Sequence, residues 1–191
     1  PFVGPEARAS GLEPGGGRVR LKAEHLVLAG LVVLAVVLEQ GVLPFVAWRG
    51  VKPDLTLILA VLAGLVFGSR AGATVGACAG LLQDLHLGRY LGLAATGHMA
   101  AGFLAGLAER RLFKENLWVP LLAGGLATVV NEGVTLLLLR LVGTRLAFGP
   151  ALVRVVLPSA LYNALLTPVL YWPFVRLNAR LGRHPPAPAG D

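Results

Sequence analysis

Long apolar runs, each close to the length of a transmembrane helix, follow one another along most of the chain. They lie at about residues 25–48, 53–68, 70–87, 90–108, 117–141 and 150–174. About 20 helical residues cross the hydrocarbon core of a bilayer, and these runs lack the alternation of a membrane-spanning strand. The pattern predicts an all-α integral membrane protein of about six transmembrane helices. The second and third runs are short and meet at Ser69-Arg70, so a re-entrant segment is the alternative for one of them.

The two ends of the chain differ from its middle in composition. The first residues contain the run Gly15-Gly16-Gly17, and the chain closes on HPPAPAGD. Segments of this kind do not bury enough apolar surface to become ordered. We therefore expect a flexible arm over residues 1–22, a six-helix transmembrane domain over 23–177 and a flexible tail over 178–191.

Composition and charge agree with a membrane protein and indicate its orientation. Of the 191 residues, 55% are hydrophobic and 14% are charged, too few polar residues to cover a soluble domain of this size. The net charge of +7 comes from 17 Lys and Arg, which lie mostly between apolar runs, so a nucleic-acid partner is not expected. A cytoplasmic N-terminus places eleven of the 17 inside and the other six, including Arg89, outside. The positive-inside rule then predicts that both termini are cytoplasmic.

Glycines recur at every fourth residue through the second and third runs, at Gly64, Gly68, Gly72, Gly76 and Gly80. Residues four apart lie on one face of a helix, and small residues let two helices approach closely in lipid. Gly72, Gly76 and Gly80 are therefore predicted to form a helix-packing stripe on the third helix. The stripe packs either on helices of the same chain or on a helix of a partner protein.

Four charged residues within the apolar runs are predicted to share one depth, namely Glu39, Asp84, Glu132 and Arg154. Asp84 follows Arg70 by 14 residues, which is about 21 Å of helix. A charge at the centre of a spanning helix costs about 2.5–3.5 kcal/mol, so such residues pair with one another or line a wet cavity. We expect a polar layer in the extracytoplasmic half, in which Arg154 pairs with Asp84 or Glu132. The layer either shapes an outward pocket or docking site, or simply holds the bundle together.

The sequence carries no recognisable catalytic, cofactor-binding or metal-binding motif. His86 and His98 are far apart, and Cys78 is the chain's single cysteine, so a Cys/His metal cluster is not expected. A single histidine in an apolar helix is interpreted here as a hydrogen-bonded packing residue. We therefore expect a protein that is not an enzyme and that uses no cofactor.

Two segments resemble the MreD family of rod shape-determining proteins. Residues 52–65 read KPDLTLILAVLAGL, and residues 80–98 read GLLQDLHLGRYLGLAATGH. The positions that match the family motif are Pro53, Asp54, Asp84 and Gly92. Taken alone, the first two are also explained as a helix start, where proline suits the first helical position and an acid complements the helix dipole.

The resemblance implies a non-enzymatic, multi-pass protein of the bacterial inner membrane that belongs to the cell-elongation machinery. It implies direct binding to MreC and association with MreB, RodA and a class-B penicillin-binding transpeptidase. A homo-oligomer within that complex is a further possibility. The implied fold is similar to the substrate-binding subunits of energy-coupling-factor vitamin transporters. The rival interpretation is such a transporter subunit, although an aromatic content of only 7% favours the scaffold.

Overall fold

A computed structural model of the protein describes residues 16–47, 50–88, 90–109, 117–144, 149 and 152–180. Within these ranges the chain forms six α-helices: α1 (Gly16–Gly41), α2 (Leu55–Phe67), α3 (Ser69–Leu87), α4 (Leu93–Glu109), α5 (Trp118–Leu141) and α6 (Leu157–Arg180). A 3-10 turn, Leu43–Val46, follows α1, and a π-helical turn, Leu152–Val156, leads into α6. The prediction of an all-helical protein is confirmed.

The first and last helices extend slightly beyond the predicted transmembrane domain. α1 begins at Gly16, so residues 16–22 of the predicted arm are helical, and α6 ends at Arg180. Residues 1–15 and 181–191 lie outside the described part of the chain. The flexible arm and tail therefore stay predictions.

Three helices of the described ranges are long and apolar enough to cross a membrane, over Leu26–Phe45, Trp118–Leu141 and Val153–Arg180. The shorter α2 has 13 residues and α4 has 17. At 1.5 Å per residue α2 rises about 20 Å, less than the roughly 30 Å of a hydrocarbon core. The described part of the chain has the predicted six helices, and that the other three also cross the membrane stays a prediction. α2 is short because Asp54 caps its start and Gly68, with φ of 88°, ends it.

The short α2 is the central helix of the bundle. It packs against each of the other five described helices, and its residues from Thr56 to Val66 are all buried. Those five helices form a broken ring around α2 in the order α1, α3, α4, α5 and α6, in which each packs on the next. The ring is open between α6 and α1. Other helices therefore shield α2 from lipid along nearly its whole length.

Glycine lets α2, α3 and α4 pack backbone against backbone. A Cβ added to Gly72, Gly76 or Gly80 of α3 would lie closer than 3.0 Å to backbone atoms of α4. Gly64 of α2 and Gly102 of α4 are packed equally tightly. The stripe predicted from the four-residue spacing thus contacts a helix of the same chain in this structure.

Buried polar side chains gather at the end of the bundle where α1 and α3 end and α2, α4 and α6 begin. We call this end of the bundle the polar end. At the opposite end of the bundle, α1 begins and α6 ends. The predicted topology requires that the first helix begins and the last helix ends at the same end of the bundle, as they do here. Which side of the membrane the polar end faces stays a prediction.

Candidate functional site

At the polar end, every helix contributes a buried polar group to one connected set of hydrogen bonds, which we call the interhelical network. Its members are Glu39 of α1, Asp54 and Thr56 at the start of α2, Gln83 of α3, His98 of α4, Thr128 and Asn131 of α5, and Asn163 of α6. Within the described ranges, no buried side-chain nitrogen or oxygen lacks a hydrogen-bond partner. The network therefore satisfies polar groups that lipid would leave without partners.

Glu39 joins α1 to α2 and α3. Gln83 Nε2 donates to Glu39 Oε1 at 2.8 Å, and the backbone N and the hydroxyl of Thr56 lie 3.4 and 3.2 Å from Oε2. Lys52 Nζ lies 3.5 Å from Oε1 and donates to the Glu39 carbonyl at 3.0 Å. The Glu39 residue is only 1% exposed, so these donors replace water around a buried carboxylate. The partly exposed Lys52 supplies the compensating charge.

Asp54 both starts α2 and binds α4. Its Oδ1 accepts a hydrogen bond from the Leu57 backbone N at 2.8 Å, which makes Asp54 the N-cap of α2. Pro53 precedes this cap and therefore does not occupy the first helical position that the sequence predicted. The same Oδ1 accepts from the Thr56 hydroxyl at 2.8 Å and lies 3.3 Å from His98 Nε2. One carboxylate thus fixes a helix start and a helix–helix contact.

His98 links α4 to α2 and α5 and is 1% exposed. Its Nδ1 lies 3.1 Å from Asn131 Oδ1, and its Nε2 lies 3.3 Å from Asp54 Oδ1. Nε2 also lies 3.2 Å from the Thr56 hydroxyl, so this nitrogen is satisfied either by donating to Asp54 or by accepting from Thr56. The Asp54–His98 contact is an ion pair when the ring is protonated. The sequence analysis interpreted His98 as a hydrogen-bonded packing residue but did not identify these partners.

Asn163 connects α6 to the rest of the network. Its Oδ1 accepts from the Asp54 backbone N at 2.9 Å, and its Nδ2 donates to the Thr128 hydroxyl at 3.0 Å. Thr128 in turn donates to the Gly124 carbonyl at 2.7 Å, within α5. A Cβ on Gly124 would meet atoms of Thr167 and Asn163, so α5 and α6 approach closely at this point.

Asp84 is buried at the end of α3, next to the network, and its side chain caps the start of α4. Its carboxylate accepts hydrogen bonds from the backbone N of Gly92 at 2.9 Å, of Ala94 at 2.9 Å and of Ala95 at 3.2 Å. A carboxylate satisfies the free N–H groups at a helix start and complements the helix dipole there. Gly92 has φ of 94°, a conformation that favours glycine. Two residues of the family motif therefore contact each other directly.

The predicted polar layer is only partly brought together. Glu39 belongs to the interhelical network, and the half-buried Glu132 hydrogen-bonds with its neighbour Asn131. Arg154 is exposed in the π-helical turn, and α3 does not pack on that turn. The structure therefore does not form the expected Asp84–Arg154 pair, because the amides of α4 occupy both oxygens of Asp84.

Lys52, Thr56 and Gln83 belong to the site, although the sequence analysis did not single them out. That analysis followed charged residues within the apolar runs, whereas Thr56 and Gln83 are uncharged and Lys52 lies in a connecting segment. A signal was present, since every uncharged hydrogen-bonding side chain inside a spanning helix needs a partner there.

We expect Asp84→Ala to lower the stability of the protein by about 2 kcal/mol, because three backbone N–H groups lose a charged acceptor. Asp84→Asn should lose about half as much, since it keeps one acceptor oxygen. Thermal unfolding in detergent measures both losses. The double variant with Arg154→Ala should show additive losses within about 0.5 kcal/mol, as expected for residues without contact. A partial recovery of stability in that double variant would instead show that the two side chains are paired.

Comparison with known proteins identifies one family to which this chain is similar. The family model of the rod shape-determining protein MreD matches residues 19–181, which is more than half of the chain. The matched segment contains the interhelical network and the Asp84 cap on α4. No curated protein and no solved structure matches the chain. The likeness to substrate-binding subunits of energy-coupling-factor transporters is therefore without support from a solved structure.

Proposed function

Because the chain belongs to the MreD family of rod shape-determining proteins, we propose that it is a non-enzymatic scaffold of the bacterial cell-elongation complex. In this proposal it lies in the inner membrane with both termini in the cytoplasm. It binds MreC directly and, through MreC, helps to couple cytoskeletal MreB to peptidoglycan synthesis. RodA and a class-B penicillin-binding transpeptidase are the synthetic enzymes of that complex.

The interhelical network is the observation that best supports a scaffold. A scaffold has to hold its helices at fixed rotations so that its outer surface presents one shape to its partners. Directional hydrogen bonds set the rotation of each helix, and close glycine contacts set the separation of α2, α3 and α4. A bundle in which both the rotation and the separation of the helices are fixed presents one constant surface to a partner.

The chemistry of the network also supports a structural role. Glu39, Asp54 and His98 are of residue types that catalyse reactions in other proteins. Here each contacts side chains of neighbouring helices, and Glu39 and His98 are 1% exposed. Their hydrogen-bonding capacity is used between helices, so these side chains hold the helices together.

Complementation tests the proposal directly. We expect the full chain, expressed in a rod-shaped bacterium depleted of its own MreD, to restore rod shape and to co-purify with MreC from the membrane. Gly76→Leu serves as an inactive control, because it disrupts the packing of α3 on α4. Cells that stay round although the folded chain reaches the membrane contradict the proposal. Co-purification of an ATPase-coupled transport module in place of MreC would favour the transporter interpretation.

A further inference from the structure

The broken ring around α2 leaves an apolar groove between α1 and α6. The groove has a volume of about 220 Å³, and its lining includes Leu34 and Leu38 of α1, Ile58 and Leu62 of α2, and Pro173 and Phe174 of α6. All of its lining side chains are apolar. Leu34 and Leu38 of its lining are exposed, so the groove faces the lipid around the bundle. Such a lining fits an acyl chain and offers no hydrogen bond to a polar ligand.

One end of this groove lies beside basic residues. The row of α6 that lines the groove includes Pro173 and Leu177, and Arg180 follows three residues later on the same face. Both Arg180 and Arg176 are exposed. The exposed arginines of α6 thus lie where the apolar groove ends.

We propose that this groove binds an anionic glycerophospholipid, with an acyl chain against α2 and the phosphate at Arg176 and Arg180. Charge complementarity favours an anionic over a zwitterionic lipid, since arginines near the membrane surface attract anionic headgroups. Arginine also matches the geometry of a phosphate group with two parallel hydrogen bonds. A lipid in this position completes the ring that α1 and α6 leave open. The site is independent of the proposed binding to MreC.

Photo-crosslinking of the full chain in vesicles tests this site. The vesicles contain phosphatidylethanolamine and phosphatidylglycerol, and one of the two lipids carries a diazirine in its acyl chain. We expect the phosphatidylglycerol probe to label residues 31–38 and 170–177, and the phosphatidylethanolamine probe to label them far less. Each arginine near the surface contributes about fivefold to affinity, so Arg176→Gln with Arg180→Gln should weaken competition by unlabelled phosphatidylglycerol about 25-fold.

Arg70→Gln provides the matched control. Arg70 is an exposed arginine at the same end of the bundle, but it lies on α3, which does not pack on α6. This variant should be labelled like the wild type. Equal labelling by the two lipid probes, or unchanged competition in the double arginine variant, overturns the proposal. Crosslinking of the groove residues to a transmembrane helix of a co-purified protein also overturns it.

Discussion

Replacing Gly76 with leucine should strongly destabilise the folded bundle. A Cβ at this position would lie closer than 3.0 Å to backbone atoms of His98 and Met99 on α4. A helix backbone does not move aside as the end of a flexible side chain does, so α3 and α4 have to separate. Overpacking typically costs about 1–3 kcal/mol, and we expect this substitution to reach or exceed the upper end. Separation at His98 also disturbs the interhelical network.

Two other glycines provide controls for this prediction. A Cβ on Gly30 of α1 or on Gly133 of α5 would meet no atom within 4 Å, so leucine fits at both positions. Leucine also favours membrane insertion, which keeps expression comparable among the three variants. The measurements are the yield of monodisperse protein in detergent and its thermal unfolding. Wild-type behaviour of Gly76→Leu would show that α3 and α4 do not pack through this face.

Removing the His98 ring should destabilise the protein by about 3–5 kcal/mol. His98→Ala leaves the Asp54 carboxylate without its ring partner and opens a cavity between α2, α4 and α5. His86→Ala is the matched control, since His86 is exposed at the end of α3 and should stay within about 0.5 kcal/mol of the wild type. Thermal or denaturant unfolding in detergent measures both variants.

A double-mutant cycle separates the ion pair from the cavity. Asp54→Asn removes the charge and keeps an oxygen that can cap α2, and His98→Asn removes the ring and keeps a hydrogen-bonding side chain. The double variant should be more stable than the sum of the two losses predicts, by at least about 1 kcal/mol, because neither charge is then left alone. Strictly additive losses would show that Asp54 and His98 do not interact.

The glycine spacing predicted a shared helix face, but not the surface against which that face packs. The interval of four residues places Gly72, Gly76 and Gly80 in one row, because α-helical geometry alone determines it. The contact with α4 depends on how two helices come together, and α4 contributes its own Gly102 to it. A helix of another protein would require the same spacing.

Depth along each helix could be predicted from the sequence, whereas rotation about the helix axis could not. Gln83 and Asp84 show the difference, since they are consecutive and nearly equal in depth. Each residue turns a helix by about 100°, so Gln83 points to Glu39 while Asp84 points to the start of α4. The expected partnership of Asp84 with Arg154 rested on depth alone. The family resemblance identified Asp84 and Gly92, but their direct contact emerged only from the fold.

The short length of α2 constrains how the chain is inserted into the membrane during synthesis. A helix of 13 residues is too short to stay across a bilayer by itself, and only Gly68 separates it from α3. α2 and α3 therefore have to leave the insertion machinery together, as a helical hairpin. Until α4 is synthesised, the carboxylate of Asp84 in this hairpin lacks the backbone N–H groups that it later binds. A nascent chain that stops after Leu87 is thus an unfinished product that membrane quality control can recognise by its unpaired carboxylate.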